Sequence, residues 1–243
     1  MPRQVRVEYE DAIYHVMARG NRLGKIVRTD ADREAFEATL EEVVGQTGWR
    51  VYAYALVENH YHLVFKTPKA NLVHGMTWFQ NTVTKRHNGR NRMRGHLFSG
   101  RYKAVLVEEN DYLSTLIHYV HLNPVRAKLV KVADGIENYP WCSLADYIRP
   151  ATKRRSWLAV GEGLAHLNYA NTAAGRRKLL AYTEGLIDKR RLKIAEFLTV
   201  LATGQQSHHG DSLGFASQPS SSHPSFLGSS TQWPYEFPWH PSR

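Results

Sequence analysis

Apolar and polar positions along the chain change period several times, and the changes mark out elements. Ala12 to Ala18, Ala-Ile-Tyr-His-Val-Met-Ala, reads as a strand, followed by the polar turn Arg19-Gly20-Asn21-Arg22. From Ala31 to Gln46, Phe36, Leu40 and Val43 or Val44 recur at helical spacing with acidic residues between them. Asp30 is placed to cap that helix and Gly48 to end it. Arg50 to Val57 is β-branched and aromatic and predicts a second strand, Glu58-Asn59 a short turn, and Tyr61 to Lys66 a third strand, antiparallel to the second. Leu72, Met76, Phe79 and Val83 share one face of a helix from Asn71 to about His87. Asn88 to Gly95 reads as a loop, and Leu97 to Val107 holds strand material around Gly100. A helix follows over Glu109 to Leu122, and Pro124 is expected to stop it.

The resulting order is strand, helix, strand, strand, helix, strand, helix. It predicts an α+β fold of the ferredoxin-like, split βαβ kind: an antiparallel sheet with helices on one face. The expected organisation is a sheet domain over residues 1–130, a helical extension over 131–202, and a disordered tail over 203–243. In that tail Ser, Gly, Pro, His and Gln displace core-forming residues. The aromatic end, Trp233 to Trp239, has the makings of a docking peptide, though a dispensable extension is the plainer reading.

Composition narrows the function. Hydrophobic residues make up 42% of the 243, enough for a core, and no apolar run reaches the roughly 18 residues that span a bilayer. The start, Met-Pro-Arg-Gln-Val-Arg, lacks a signal-peptide stretch, and a lone cysteine, Cys142, excludes an internal disulfide. A cytoplasmic protein with no membrane partner is expected, with Cys142 as a buried thiol. The formal charge is +10, and no Asp or Glu occurs from Lys66 to Val107. Within that stretch Lys85, Arg86, Arg90, Arg92, Arg94, Arg101 and Lys103 suit a polyanion, nucleic acid being the commonest, and make salt-dependent binding the expectation. A solvated basic face is the alternative. The turn that carries Arg19, Asn21 and Arg22 lets backbone approach DNA closely at Gly20. Trp78 and Phe98 could stack on bases, although core burial suits both better.

The chemistry concentrates in two segments. In Asn59-His60-Tyr61-His62, strand alternation puts His60 and His62 on one face, where two imidazoles can share an ion, and turns Tyr61 to the other face as packing. Such pairs also arise by chance. In Tyr119-Val120-His121-Leu122-Asn123-Pro124, Tyr119 and Asn123 lie four apart on one helical face. Asn123 could offer an amide oxygen to the ion, or simply cap a helix before proline. Tyr112 and Tyr102 compete with Tyr119 as reactive tyrosines. His118 and His121 fall off that face and suit packing, as does His15.

These residues together are familiar. The histidine–hydrophobic–histidine strand resembles the HUH motif of single-tyrosine insertion-sequence transposases. Within that group the chain is similar to the REP-associated tyrosine transposases. The likeness is carried by Ala12-Ile13-Tyr14-His15-Val16, the Arg19–Arg22 turn, Asn59 to His62, Gly100-Arg101-Tyr102-Lys103, Tyr119 to Ala127, and Tyr139-Pro140-Trp141-Cys142-Ser143. It covers roughly residues 1–185. Cys142 stands where serine is usual and Glu58 where many members have proline. The resemblance implies that His60, His62 and Asn123 bind Mg2+ or Mn2+, and that Tyr119 is the nucleophile. Tyr119 would attack single-stranded or hairpin DNA, form a 5′-phosphotyrosine link and free a 3′-hydroxyl for rejoining. Imidazole ligands alone would favour zinc or manganese. A macromolecular rather than a small-molecule substrate is implied. A monomer acting in cis is expected, with a helix-exchanged dimer as the alternative. Rival readings are a replication initiator or relaxase of the same chemistry, a hairpin-binding regulator that does not cut, and a zinc-stabilised nucleic-acid module. The last would need more than two histidines and one cysteine for a closed site.

Overall fold

The computed structural model describes residues 8–108 and 111–188. The 203–243 tail and its aromatic end lie outside the described residues. Four strands, β1 (Ala12–Arg19), β2 (Arg50–Leu56), β3 (His60–Thr67) and β4 (Lys103–Val107), form one sheet in the order β2-β3-β1-β4. Every pairing is antiparallel. With α1 (Asp30–Thr47) and α2 (Leu72–Asn91) between strands, this is the ferredoxin-like arrangement.

Strand alternation divides the sheet into two faces. Tyr61 and Phe65 face α1 and α2. The Tyr61 ring packs against Phe36 and Phe79, and Trp49 stacks on Phe65 at 4.3 Å. The opposite face carries His15, His60 and His62, and is covered by α3 (Asp111–His121), which brings Tyr119 against the histidines. The two helices that intervene between strands thus cover one face, and the tyrosine helix covers the other.

Local chemistry moves several expected boundaries. Thr29, not Asp30, caps α1: its hydroxyl accepts from the Asp32 amide while Asp32 accepts from the Thr29 amide, a reciprocal capping box. Helix α2 runs on to Asn91, so the expected loop from Asn88 is helical at its start. Asp32 explains this, since it accepts from Asn91 at 3.0 Å and pairs with Arg90 at 3.4 Å, holding the last turn of α2 against α1. Strand β4 is shorter than expected, its forerunner reduced to a single bridge between Gly20 and Phe98. Pro124 does not end the helical path. It sits in the first turn of α4 (Asn123–Arg126), where its missing N–H costs nothing.

The chain after α4 closes the sheet's β2 edge. Cys142 and Leu158 make bridges to Ala55 and Val51, and the Leu56 amide donates to the Trp141 carbonyl at 2.9 Å. Covering an edge this way removes a row of unpaired backbone groups. Short helices α5 (Leu144–Ile148) and α6 (Val160–His166) and the longer α7 (Ala173–Asp188) complete this part. Among the described residues no helix is long and apolar enough to cross a membrane.

Candidate functional site

The β1–β3 register builds the site from below. His62 lies opposite Met17, and Arg19 lies opposite His60, so His15, Arg19, His60 and His62 share a face. The His60 and His62 rings meet edge to face at 5.1 Å. His15, fully buried, stacks on His62, and its Nε2 lies 3.0 Å from His62 Nδ1. His15 is therefore more than packing: it is the polar partner of a candidate ligand.

The tyrosine and the amide arrive from above. Helical hydrogen bonds continue through the α3–α4 junction, from the Leu122 amide to His118 and from the Arg126 amide to Leu122. The four-residue spacing of Tyr119 and Asn123 thus survives the proline. Asn123 Oδ1 lies 3.2 Å from His60 Nε2. The Tyr119 ring, half-buried, meets the edge of His62 at 5.6 Å and that of His15 at 6.2 Å.

Protonation states follow from burial. Burial holds His60 down to about 4, working against the Asn123 oxygen that favours the charged ring. It holds His15 at about 3 and His62 well below the usual histidine range. All three rings are neutral at pH 7. His60 Nδ1 lies 2.8 Å from Asn59 Oδ1, and in the tautomer that donates its proton there Nε2 presents a lone pair. That lone pair and the Asn123 oxygen converge as two ligands of one ion would. The donors fit a divalent ion: two neutral imidazoles and an amide oxygen, with the remaining positions open to water or substrate oxygen.

The other candidates are dispersed. Tyr112 is pushed up to about 12 by burial, which disfavours its oxyanion, and Tyr102 is buried at 4% exposure. His121 donates to or accepts from Ser143 at 3.0 Å, and His118 pairs with Thr183 on α7 at 3.1 Å, so both serve packing. Cys142 is a buried thiol pushed up to about 12 by burial. Phe98 is core against Tyr61, and Trp78 is half-buried.

Of the basic residues, Arg19 stands beside His60, and its charge, after burial, lowers Lys103. Asn21, Arg22, Lys85, Arg92, Arg94, Arg101 and Lys103 are exposed. Arg86 and Arg90 sit on α2 and tie it to α1, through Glu42 at 2.9 Å and Asp32 at 3.4 Å. The Arg19–Gly24 turn is tightly built: a Cβ on Gly20 would stand 2.0 Å from the Gly24 carbonyl oxygen, and Arg22 and Leu23 both take left-handed backbone.

Sequence reasoning gave no role to Arg126. Its guanidinium lies 4.8 Å over the Tyr119 ring. The signal was present as spacing, since Arg126 follows Tyr119 by seven residues and Asn123 by three on one helical path.

Comparison with known proteins adds the following. The family described as "Transposase IS200 like" matches residues 8–123. No protein of curated function matches the chain. Among solved structures, a REP-associated tyrosine transposase bound to a REP hairpin aligns at TM-score 0.49 and 13% identity. That alignment covers 63% of this chain and 87% of that one. A provisionally assigned transposase from Deinococcus radiodurans R1 aligns at TM-score 0.35 and 14% identity, covering 53% and 92% respectively.

Proposed function

We propose, because the IS200-like transposase family model matches residues 8–123, that this protein is a metal-dependent endonuclease and strand transferase that acts on single-stranded or hairpin DNA. The observation that carries the reading is the convergence of His60 Nε2 and Asn123 Oδ1, 3.2 Å apart, beside the Tyr119 ring. Tyr119 is the nucleophile. Its hydroxyl gives up its proton to solvent as the oxygen attacks the scissile phosphorus, the 3′-oxygen departs and takes up a proton from solvent, and the 5′-phosphate stays bonded to tyrosine. Attack by another 3′-hydroxyl reverses the step and conserves the phosphoester, so rejoining needs no nucleotide cofactor. His60, His62 and Asn123 would hold Mg2+ or Mn2+, which withdraws charge from the phosphate and aligns it. Arg19 and the exposed basic residues from Lys85 to Lys103 receive the DNA backbone. The resemblance of the quoted segments to REP-associated tyrosine transposases favours repeat-palindrome hairpins as substrate.

The test is direct. Labelled hairpin oligonucleotides from repeats flanking the gene are incubated with protein in Mn2+ or in EDTA and resolved on a denaturing gel. A Mn2+-dependent protein–DNA adduct is expected, and Tyr119→Phe should abolish it while hairpin binding persists. Hairpin binding without any adduct would instead identify a regulator that does not cut.

A further inference from the structure

We propose that the divalent ion and the scissile phosphate bind this site cooperatively, each weakly alone, with Arg126 and Arg19 setting the coupling. The inference rests on the reading of His60, His62 and Asn123 as ligands.

The donor set is uncharged. Among the described residues no three or more His, Cys, Asp or Glu side chains are grouped so as to hold an ion. A carboxylate beside His60 and His62 would complete such a group, so none of the described carboxylates joins them. His15 does not join either, because its Nε2 is turned to His62 Nδ1. Magnesium and manganese favour oxygen donors, usually with carboxylates among them. Here the ion would keep its full double charge.

Its surroundings are positive. Arg126, on α4, has its guanidinium 4.8 Å over the Tyr119 ring, and that ring meets His62. Arg19 enters from the end of β1, directly opposite His60. Two guanidiniums placed on either side of the imidazoles oppose a metal ion between them. A phosphodiester reverses the balance. It supplies the missing negative charge and oxygen donors to the ion, and its own charge is attracted by both arginines. By linkage, whatever the phosphate adds to ion affinity the ion adds equally to phosphate affinity.

The experiment measures Mn2+ affinity by electron paramagnetic resonance of free Mn2+. It uses the Tyr119→Phe protein, so that no turnover occurs, with and without a ten-residue oligothymidylate at concentrations that saturate binding by fluorescence anisotropy. Ion held by the DNA itself is subtracted with a His60→Ala control. The oligonucleotide should raise Mn2+ affinity about tenfold or more, and a methylphosphonate oligonucleotide, which lacks backbone charge, should not. Arg126→Gln should tighten Mn2+ binding severalfold without DNA and shrink the gain that DNA gives, whereas Arg126→Lys should restore both. If Arg126→Gln does not fold, Arg19→Gln carries the same pair of expectations. Mn2+ binding as tight alone as with DNA, or binding weakened without DNA by loss of an arginine's charge, overturns the coupling. Mn2+ affinity unchanged in His60→Ala overturns the ligand assignment instead, so the two failures are distinguishable.

Discussion

The hydrogen bond that orients His62 comes from His15, 47 positions earlier in the chain. An imidazole that ligates through Nε2 must carry its proton on Nδ1, and a buried acceptor there fixes both tautomer and ring angle. With His62 ligating in this way, as proposed, His15 Nε2 at 3.0 Å is that acceptor. His15→Phe should therefore weaken Mn2+ binding by about 10–100-fold, the usual effect of removing a ligand's outer partner. His15→Gln, which keeps an acceptor, should recover part of the loss in a calorimetric titration. Unchanged affinity in His15→Phe would remove His15 from the site. The His60–His62 pair and the Tyr119–Asn123 spacing were legible because strand and helix periods fix which residues share a face. The role of His15 was not, because it depends on the register between β1 and β3, which no local pattern states. Arg126 was legible in spacing but silent in chemistry until the Tyr119 ring lay beneath it.

Asp32 shows how one side chain joins two elements. It closes the capping box of α1 and accepts from Asn91 in the last turn of α2. Its loss removes a cap and leaves Asn91 and Arg90 without their α1 anchor, so Asp32→Ala should destabilise the fold by about 1–2 kcal/mol. A shift in urea midpoint measures the cost, and faster amide exchange over residues 88–91 locates it. Loss of stability without faster exchange there would confine Asp32 to the α1 cap. The loop expected from Asn88 was misread for the same reason: Asn and Gly at 88 and 89 signal a turn locally, and a contact 59 residues away overrides them. Pro124 was misread through a different competition. Proline breaks helix interiors but suits a first turn, and only the site's geometry reveals that a second helical segment begins there.

The part of the chain after α4 is locked to the sheet domain by charge. Arg155 pairs with Glu37 of α1 at 3.0 Å and with Asp146, whose side chain is wholly buried. It also donates to the Pro140 carbonyl at 2.8 Å. Removing the cation leaves a buried carboxylate uncompensated, and Arg155→Met should cost about 3–5 kcal/mol. Thermal unfolding measures it, and a loss below 1 kcal/mol would mean that packing, not charge, makes the lock. None of this network was legible, since its members are scattered and each reads as an ordinary surface charge. The buried histidines impose a pH limit on the whole fold. His15 and His118, held by burial at about 3 and about 4, together with His62 and His121, resist protons that the unfolded chain takes up near about 6.5. Stability should be full above that value and fall as pH drops toward the folded titration points, by about 1.4 kcal/mol per pH unit for each such ring. A urea midpoint constant from pH 7 to pH 5 would exclude the effect.

The strand order has a consequence for the timing of synthesis. β1 is the first strand made but occupies an inner position, and its neighbours β3 and β4 are completed only at residues 67 and 107. Tyr119 and Asn123 come later still, and the Arg155 lock later again. At about 5–20 residues per second, the ribosome holds each nascent chain without an assembled site for many seconds. A chain abandoned between β3 and α3 carries the histidines but not the tyrosine, so on the proposed reading it forms no covalent link to DNA.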